Sequence, residues 1–255
     1  MAQRLSGKVA IVTASTKGIG YAIAKKLGLD GAKVVVSSRK GSNVTEAVDG
    51  LKASGVVAEG TVCHVGLAED RQKLIDFALK KHGKIDILVS NAAVNPHYGD
   101  ILEVSDKQWD KLFDTNVRAA FLLSKAVVPH MESAGGGNIV FVSSITGYTP
   151  FVGIGAYGVT KTALLGLTKA LAQSLAHRNI RVNGIAPGII RTDFSKAMWD
   201  KPTADAEQAI RSMIPLGRLG EPDDCAGLVS FLVSDDAKYI TGETVMVTGG
   251  ISARL

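Results

Sequence analysis

Tyr157 and Lys161 are the two residues whose types and spacing most directly suggest chemistry. They open a segment in which Thr160, Leu164 and Leu171 recur at helical spacing, so both side chains are expected on one helix face. An ammonium close to a phenol favours the phenolate and should lower the tyrosine pKa from about 10, which suits a proton donor. The alternative is a partly buried tyrosine beside a lysine that extends to solvent, so the pair alone does not establish a site.

The composition is that of an ordinary globular protein, with 255 residues of which 46% are hydrophobic and 21% are charged. The net charge of +5 comes without a dense Lys/Arg cluster, which favours an anionic small molecule over nucleic acid as the ligand. Cys63 and Cys225 have neither metal-ligand nor CxxC spacing, so we expect free thiols in a reducing compartment and no metal site. The first residues lack an apolar signal run, and no apolar stretch reaches the ~18 residues of a membrane span.

Apolar runs alternate with helical patterns from end to end of the chain. Strands are predicted at 9–12, 33–37, 58–64, 85–89, 138–142, 180–185 and 244–247. Helices are predicted at 19–29, 42–54, 68–81, 106–131, around Tyr157 and at 221–233, with a looser stretch at 189–216. This alternation predicts an α/β fold, a doubly wound (Rossmann) parallel sheet of about seven strands with helices on both faces. No linker or repeat is visible, so residues 1–255 are predicted to form a single dinucleotide-binding and catalytic domain.

The turn between the first strand and the first helix is rich in glycine and runs TASTKGIG from Thr13 to Gly20. Glycines permit close backbone approach, and a helix N-terminus offers N–H groups and a positive dipole end to phosphate. The turn is therefore the expected place for a dinucleotide pyrophosphate, the alternative being a turn needed only for packing. Ala14 stands where related loops begin with glycine, so this turn has to tolerate a methyl group.

The end of the second strand predicts which nucleotide binds. Sites for NAD usually have an acidic residue there, whereas Ser37 and Ser38 are followed here by Arg39 and Lys40. Lys17 in the glycine-rich turn is a further cation expected nearby, and arginine binds phosphate through two parallel hydrogen bonds. The pattern predicts NADPH as the cofactor, and the alternative is a basic turn in solvent.

Taken together, these motifs resemble the short-chain dehydrogenase/reductase family, in order and over essentially the whole chain. The matching segments are Thr13–Gly20 for the TGxxxGIG loop, Asn91–Ala93 for the NNAG motif, Pro187-Gly188 with Thr192 for the PG motif, and Ser144, Tyr157 and Lys161 for the catalytic trio. Ala14 and Ala93 replace usual glycines, which bears on loop geometry. Within the family, Val36–Arg39, Asn91–Pro96 and the C-terminal tripeptide resemble the peroxisomal NADPH-dependent carbonyl reductases that also reduce retinal.

The resemblance implies a role for each catalytic residue. Ser144 would polarise the substrate carbonyl, although Ser143 beside it is a rival by position. Tyr157 would protonate the oxygen, and Lys161 would lower the tyrosine pKa and hold the nicotinamide ribose. Asn116 would hold a water that relays protons to Lys161, the alternative being a structural asparagine whose side chain is satisfied within the protein.

The resemblance also implies the residues that contact the cofactor. They are Ser15, Thr16, Lys17, Gly18, Ile19, Gly20, Ser38, Arg39, Lys40, His64, Val65, Asn91, Ala92, Ala93, Tyr157, Lys161, Pro187, Gly188, Ile190 and Thr192. Asn91 and Ala92 would pack along the adenosine and ribose, and His64 and Val65 would flank the adenine.

The substrate side is expected to be apolar. Phe194, Met198 and Trp199 follow the PG motif and would form a lid over the substrate, or alternatively core or subunit contacts. Weaker pocket candidates are Val94, Asn95, Ile145, Phe151 and Ile154. This apolar bulk favours a lipophilic or aromatic carbonyl compound over a charged sugar phosphate.

The predicted function is NADPH-dependent reduction of ketones and aldehydes, including α-dicarbonyls and retinal. The alternatives are a 3-oxoacyl thioester reductase, an alcohol dehydrogenase of the same family, and a non-enzymatic NADPH-binding regulatory protein. The resemblance implies a homotetramer. The C-terminal Ala253-Arg254-Leu255 resembles a signal read by a peroxisomal import receptor, so a peroxisomal location is expected, with the cytoplasm as the alternative if the match is fortuitous.

Overall fold

Seven parallel strands form one sheet in the computed structural model, which describes residues 3–196, 208 and 211–251. The strands are β1 (Val9–Val12), β2 (Lys33–Ser38), β3 (Ala58–Val62), β4 (Ile87–Ser90), β5 (Gly137–Val142), β6 (Ile180–Pro187) and β7 (Thr244–Val247). Their order is β3-β2-β1-β4-β5-β6-β7, and every neighbouring pair is parallel. The predicted doubly wound sheet is confirmed.

Helices cover both faces of this sheet. They are α1 (Gly18–Leu29), α2 (Gly41–Ala53), α3 (Ala68–His82), α4 (Asp106–Phe113), α5 (Ala119–Ser133), α6 (Gly155–Leu175) and α7 (Pro222–Val233). Successive strand residues face opposite sides, so Ala10 and Val12 pack in the cluster with α1 and α7, while Ile11 packs in the cluster with α3, α5 and α6. Burial on both faces explains why the strands are continuous apolar runs.

The predicted helix over 106–131 is not continuous. The chain leaves α4 at Phe113, makes a π-helical turn over Asp114–Arg118, and continues as α5. A π turn adds one residue to a helical turn, and such turns are frequent at functional sites. Here it contains Asn116, which is buried. A one-residue insertion barely disturbs the apolar periodicity of a long segment, so the sequence pattern did not reveal it.

Two strand ends also differ from the predicted limits in ways that affect the site. The third strand ends at Val62 rather than at 64, because the backbone N–H of His64 donates to the Asp70 carboxylate at 2.9 Å instead of to a strand. The sixth strand continues to Pro187, and the Gly188 N–H still donates to the Val247 carbonyl at 2.9 Å. The PG motif therefore begins at the carboxyl end of β6.

No helix in the described ranges has the length and apolar character that a membrane crossing requires.

The turn after β1 is strained at the position where the sequence departs from glycine. Ala14 has φ of +49°, in the left-handed region that side chains with a Cβ atom rarely adopt. Its side chain is exposed, so the methyl group gains little packing in return. The fold tolerates the methyl group at a cost in backbone energy.

We expect Ala14→Gly to raise the free energy of unfolding by about 0.5–1 kcal/mol, because glycine adopts positive φ without the Cβ penalty. Urea denaturation followed by circular dichroism measures this change. Ala134→Gly is the matched control, since Ala134 is also exposed but has φ of −85°, and it should lose stability. A loss of stability in Ala14→Gly as well would contradict the strain.

Candidate active site

The carboxyl ends of the strands open onto two adjoining cavities of about 310 and 680 Å³. The smaller cavity lies along the ends of β5 and β6 and the start of α6, and the larger one along the ends of β2 and β3. Ala14, Lys17, Ala93 and Asp193 line both. The sheet order reverses between β1 and β4, and open α/β sheets bind their ligands at such a reversal.

Tyr157 and Lys161 lie on the first turns of α6 and line the smaller cavity. The Lys161 Nζ is 5.3 Å from the centroid of the Tyr157 ring and donates a hydrogen bond of 2.8 Å to the Val142 carbonyl. Only 1% of Lys161 and 8% of Tyr157 is exposed. The expected side-by-side arrangement on one helix face is present, and it is almost entirely removed from water.

Burial determines the protonation of this pair. It raises the pKa of Tyr157 above its usual range, and a hydrogen bond with Ser144 opposes that rise. It also lowers the pKa of Lys161 to about 7. The lowered tyrosine pKa expected from the spacing is therefore not what the structure shows, because desolvation disfavours the charged form of both groups. The phenol keeps the proton that a donor needs, and the lysine exchanges protons near neutral pH.

The two serines at the end of β5 have different roles. The Ser143 hydroxyl donates to the Lys161 carbonyl at 2.8 Å, so its proton is already used inside the protein. The Ser144 Oγ accepts a hydrogen bond from the Thr146 N–H at 3.1 Å and interacts with the Tyr157 hydroxyl. Ser144 is thus the serine in contact with Tyr157, and its catalytic role stays a prediction.

Asn116 lines neither cavity. Its Oδ1 accepts from the Val94 N–H at 2.8 Å, and its Nδ2 donates to the Val94 carbonyl and to the Thr160 Oγ1, both at 3.0 Å. Thr160 in turn donates to the Tyr157 carbonyl at 2.7 Å. The side chain therefore positions the loop after β4 against the first turn of α6, and the water relay implied by the resemblance stays a prediction.

The glycine-rich turn leaves no space for side chains on its inner side. A Cβ atom on Gly20 would lie 2.5 Å from the Asn91 Nδ2 and 2.6 Å from the Ala14 carbonyl oxygen, and Gly18 has φ of +55°. The Asn91 amide donates to the carbonyls of Thr13 and Ala14 at 3.1 and 3.0 Å. Asn91 thus lines the smaller cavity while its side chain holds the turn. Gly18, Ile19 and Gly20 line the smaller cavity at the start of α1, where the N–H groups of a helix N-terminus can receive a pyrophosphate.

The other predicted cofactor residues divide between the two cavities. Those at the larger one are Thr16, Lys17, Ser38, Arg39, Lys40, His64, Val65, Ala92 and Ala93. Those at the smaller one are Lys17, Gly18, Ile19, Gly20, Asn91, Ala93, Tyr157, Lys161, Pro187, Gly188, Ile190 and Thr192. Ser15 lines neither, because its Oγ donates to the Val12 carbonyl and accepts from the Ser37 N–H at 3.1 Å, which joins β1 to β2.

Several residues of the larger cavity were missed from the sequence. They are Asn43, Cys63, Lys111, Thr115 and Asp193. Lys111 comes from α4, and like Arg39 and Lys40 it has no ion-pair partner among the described residues, whereas Lys17 lies 3.7 Å from Asp193. A lysine on an exposed helix face carries no local signal of its function. Only the packing of α4 beside the loop after β4 brings it to the cavity.

The substrate side is apolar, as expected. Asn95, Ile145, Phe151 and Ile154 line the smaller cavity together with Tyr98 and Phe194. The Phe194 ring centroid is 5.7 Å from that of Tyr157. Val94 lines the larger cavity instead, because the Asn116 amide holds its backbone on that side. The predicted lid residues Met198 and Trp199, and the tripeptide at 253–255, lie outside the described residues.

Known proteins share these features over nearly the whole chain. Residues 13–252 match the family model described as enoyl-(acyl carrier protein) reductase. The chain is 59% identical over 252 residues to dehydrogenase/reductase SDR family member 4 of Homo sapiens, with 98% of this chain and 90% of that protein covered. This chain belongs to the short-chain dehydrogenase/reductase family. The protein of the same name from Caenorhabditis elegans is 54% identical over 256 residues, with 99% and 98% covered.

Solved structures of this family have the same fold. A variant of actinorhodin polyketide ketoreductase with NADPH superposes with a TM-score of 0.92 at 31% identity, over 100% of both chains. A 7α-hydroxysteroid dehydrogenase in complex with NADH and 7-oxo glycochenodeoxycholic acid gives a TM-score of 0.91 at 35% identity, over 97% of this chain and 95% of that one. Members of the short-chain dehydrogenase/reductase family are oxidoreductases, and so is this protein.

The depressed pKa of Lys161 predicts a pH-dependent cost of burying its charge. Between pH 7 and about 10 the unfolded chain holds the lysine proton and the folded chain does not, so the stability of the wild type rises with pH over this window. Lys161→Met lacks this dependence. Its free energy of unfolding relative to the wild type should therefore be most favourable at pH 7 and fall by about 3–4 kcal/mol towards pH 10.

Urea denaturation at pH 7, 8, 9 and 10 tests the expectation for Lys161, with Lys169→Met, an exposed lysine on the same helix, as the matched control. A difference between Lys161→Met and the wild type that stays constant over this range would show that Lys161 is buried in its charged form.

Proposed function

We propose that this protein is an NADPH-dependent carbonyl reductase whose substrates are lipophilic or aromatic ketones and aldehydes, including α-dicarbonyls and retinal. The observation that carries the proposal is the buried Tyr157–Lys161 pair beside Ser144 in the wall of an apolar cavity. Such a site supplies one proton to an oxygen atom in a place with little water. That is the half of a carbonyl reduction that a protein has to provide.

The cofactor is NADPH, and the residues present fit it. Gly18, Ile19 and Gly20 line the smaller cavity at the start of α1, and Arg39 and Lys40 stand at the end of β2, where the sequence has no acidic residue. NADP(H) also accompanies related structures, such as the polyketide ketoreductase with NADPH. When bound, NADPH supplies the hydride that reduces the carbonyl carbon.

The residues of this chain would complete the reduction by handling the substrate oxygen. The Ser144 hydroxyl donates a hydrogen bond to that oxygen and orients it, and Tyr157 delivers its phenolic proton to the same atom. Lys161, with a pKa of about 7, returns a proton to the phenolate and so limits the time for which a charge is buried. The Val142 carbonyl keeps the lysine Nζ in position throughout.

Two family alternatives have some support. The matched family model is described as an enoyl-(acyl carrier protein) reductase, and one related structure is a polyketide ketoreductase, so an acyl thioester is a second candidate substrate. An alcohol dehydrogenase working in the oxidative direction would use the same residues. Initial rates with ketones, α-dicarbonyls, quinones, retinal, 3-oxoacyl thioesters and alcohols separate these candidates.

We also propose that the protein is a homotetramer and that Ala253-Arg254-Leu255 directs it to peroxisomes. The tripeptide ends in a small, a basic and a leucine residue at the C-terminus, where an import receptor reads such signals. The cellular location of a fusion protein with and without these three residues is the measurement that tests the second proposal.

Tyr157→Phe should reduce kcat for ketone reduction by at least ~100-fold, because general acid catalysis contributes roughly 10²–10⁴-fold. The dissociation constant for NADPH, measured by fluorescence titration, should change little. Tyr148→Phe is the matched control, since it removes a phenol hydroxyl that donates to the Thr244 carbonyl outside both cavities. Turnover near the wild-type level in Tyr157→Phe would rule out the assigned proton donor.

Arg39→Asp should raise the dissociation constant for NADPH by ~30-fold or more and that for NADH by less than ~3-fold, because it removes a charge-assisted hydrogen bond and adds repulsion. Lys111→Gln, on the other wall of the same cavity, should have a smaller effect in the same direction. Arg178→Asp, an arginine that lines neither cavity, is the control. An unchanged preference for NADPH in Arg39→Asp would mean that this residue does not recognise the 2′-phosphate.

A further inference from the structure

Two polar side chains at the smaller cavity make no hydrogen bond within the described part of the chain. They are Asn95 and Tyr98, here called the polar pair, and both belong to the loop after β4. The Asn95 Oδ1 is shielded from solvent without a partner among the described residues, and Tyr98 is half-exposed. Shielded polar atoms are nearly always hydrogen-bonded in folded proteins, so the unused bonding capacity of the polar pair points to a ligand.

Other polar side chains at this cavity are already used inside the protein. The Asn91 amide donates to the carbonyls of Thr13 and Ala14, and the Ser143 hydroxyl donates to the Lys161 carbonyl. These groups hold the structure together and have little left to offer a ligand. The polar pair differs from them because its members contribute no side-chain hydrogen bond to the described structure.

The backbone is held on both sides of Asn95. The Val94 N–H donates to the Asn116 Oδ1 at 2.8 Å, and the Gln108 Nε2 donates to the Pro96 carbonyl at 3.1 Å. Both contacts come from the segment that contains α4 and the π turn. The Asn95 side chain therefore starts from a fixed backbone, which reduces the conformational entropy that it loses when it binds a ligand.

Tyr98 is fixed close to the proposed proton donor. The Gly99 N–H donates to the Gly153 carbonyl at 3.0 Å, which joins the loop after β4 to the segment before α6. Burial is the main cause of the raised pKa of Tyr157, and the nearby Tyr98 phenol adds to the rise. A ligand atom bonded to Tyr98 would therefore lie near the oxygen that Tyr157 is proposed to protonate.

The polar pair can donate hydrogen bonds through the Tyr98 hydroxyl and the Asn95 Nδ2. We propose that Asn95 and Tyr98 are specificity-determining residues that donate these hydrogen bonds to a second oxygen atom of the carbonyl substrate. This inference rests on the proposed function and narrows its substrate class to carbonyl compounds with a carbonyl or hydroxyl oxygen on the neighbouring carbon. A substrate without that oxygen leaves the donors unpaired beside an apolar ligand, which disfavours its binding.

Hexane-3,4-dione and hexan-3-one test this proposal, because they have the same carbon chain and differ in the second oxygen. Tyr98→Phe removes one hydroxyl and Asn95→Leu keeps the branched shape of the side chain. Each variant should lower kcat/KM for the dione by ~3- to 10-fold, mainly through KM, and change that for hexan-3-one by less than ~2-fold. Tyr239→Phe, which alters a fully exposed phenol outside both cavities, is the matched control and should leave both substrates unchanged.

Calorimetric binding of the two compounds to the protein saturated with NADP⁺ gives a readout that needs no turnover. Weaker binding of the dione alone in Tyr98→Phe would support the polar pair even if no ketone were reduced, and would leave only the proposed function in error. An equal change for the dione and for hexan-3-one, or no change for either, would overturn the proposal. Failure of the wild-type protein to bind the dione more tightly than hexan-3-one would also overturn it.

Discussion

The removal of Tyr157 and Lys161 from water is the physical condition on which this site depends. Desolvation acts on both groups in the direction of the neutral form, so the phenol stays protonated and the amine loses most of its usual affinity for a proton. The Val142 carbonyl accepts a hydrogen bond from the Lys161 Nζ whether the amine is charged or neutral. This contact therefore fixes the position of the lysine side chain but not its charge. A solvated pair with the same spacing would hold the lysine fully charged at neutral pH.

The sheet supplies that environment by bringing distant loops together where its strand order reverses. Thr13 at the end of β1 accepts from the backbone N–H groups of Asn91 and Ala92 at 3.0 and 3.2 Å, and the Asn91 amide returns two hydrogen bonds to the turn after β1. The same loop continues to Val94, whose backbone is hydrogen-bonded to the Asn116 side chain. Asn116 also donates to Thr160 and so connects the loop to α6. The glycine-rich turn and the helix that carries Tyr157 are therefore parts of one hydrogen-bonded unit, so a shift in one would be transmitted to the other.

The sequence predicted those parts of the site that depend on local spacing. The Tyr157–Lys161 pair, the glycine-rich turn and the absence of an acid after β2 could all be recognised because each is set by a few neighbouring residues. Features set by tertiary packing were missed. They are the π turn at Asn116, the hydrogen bond that ties the Ser15 hydroxyl to β2, and the position of Val94 and Lys111 at the larger cavity. The direction of the tyrosine pKa was wrong for the same reason, since helical spacing shows proximity to a cation but not the loss of water around both groups.

Charge is distributed unequally between the two cavities, and this inequality orients an anionic cofactor. The larger cavity has Arg39, Lys40 and Lys111, all without ion-pair partners in the described part of the chain, and Lys17 is held only by an exposed pair with Asp193. Exposed pairs of this kind are weak, so Lys17 is available to a phosphate at little cost. The smaller cavity is mainly apolar, and its innermost cation, Lys161, is already bonded to a carbonyl. Phosphate groups are therefore favoured in the larger cavity, and uncharged apolar groups are favoured in the smaller one beside Tyr157.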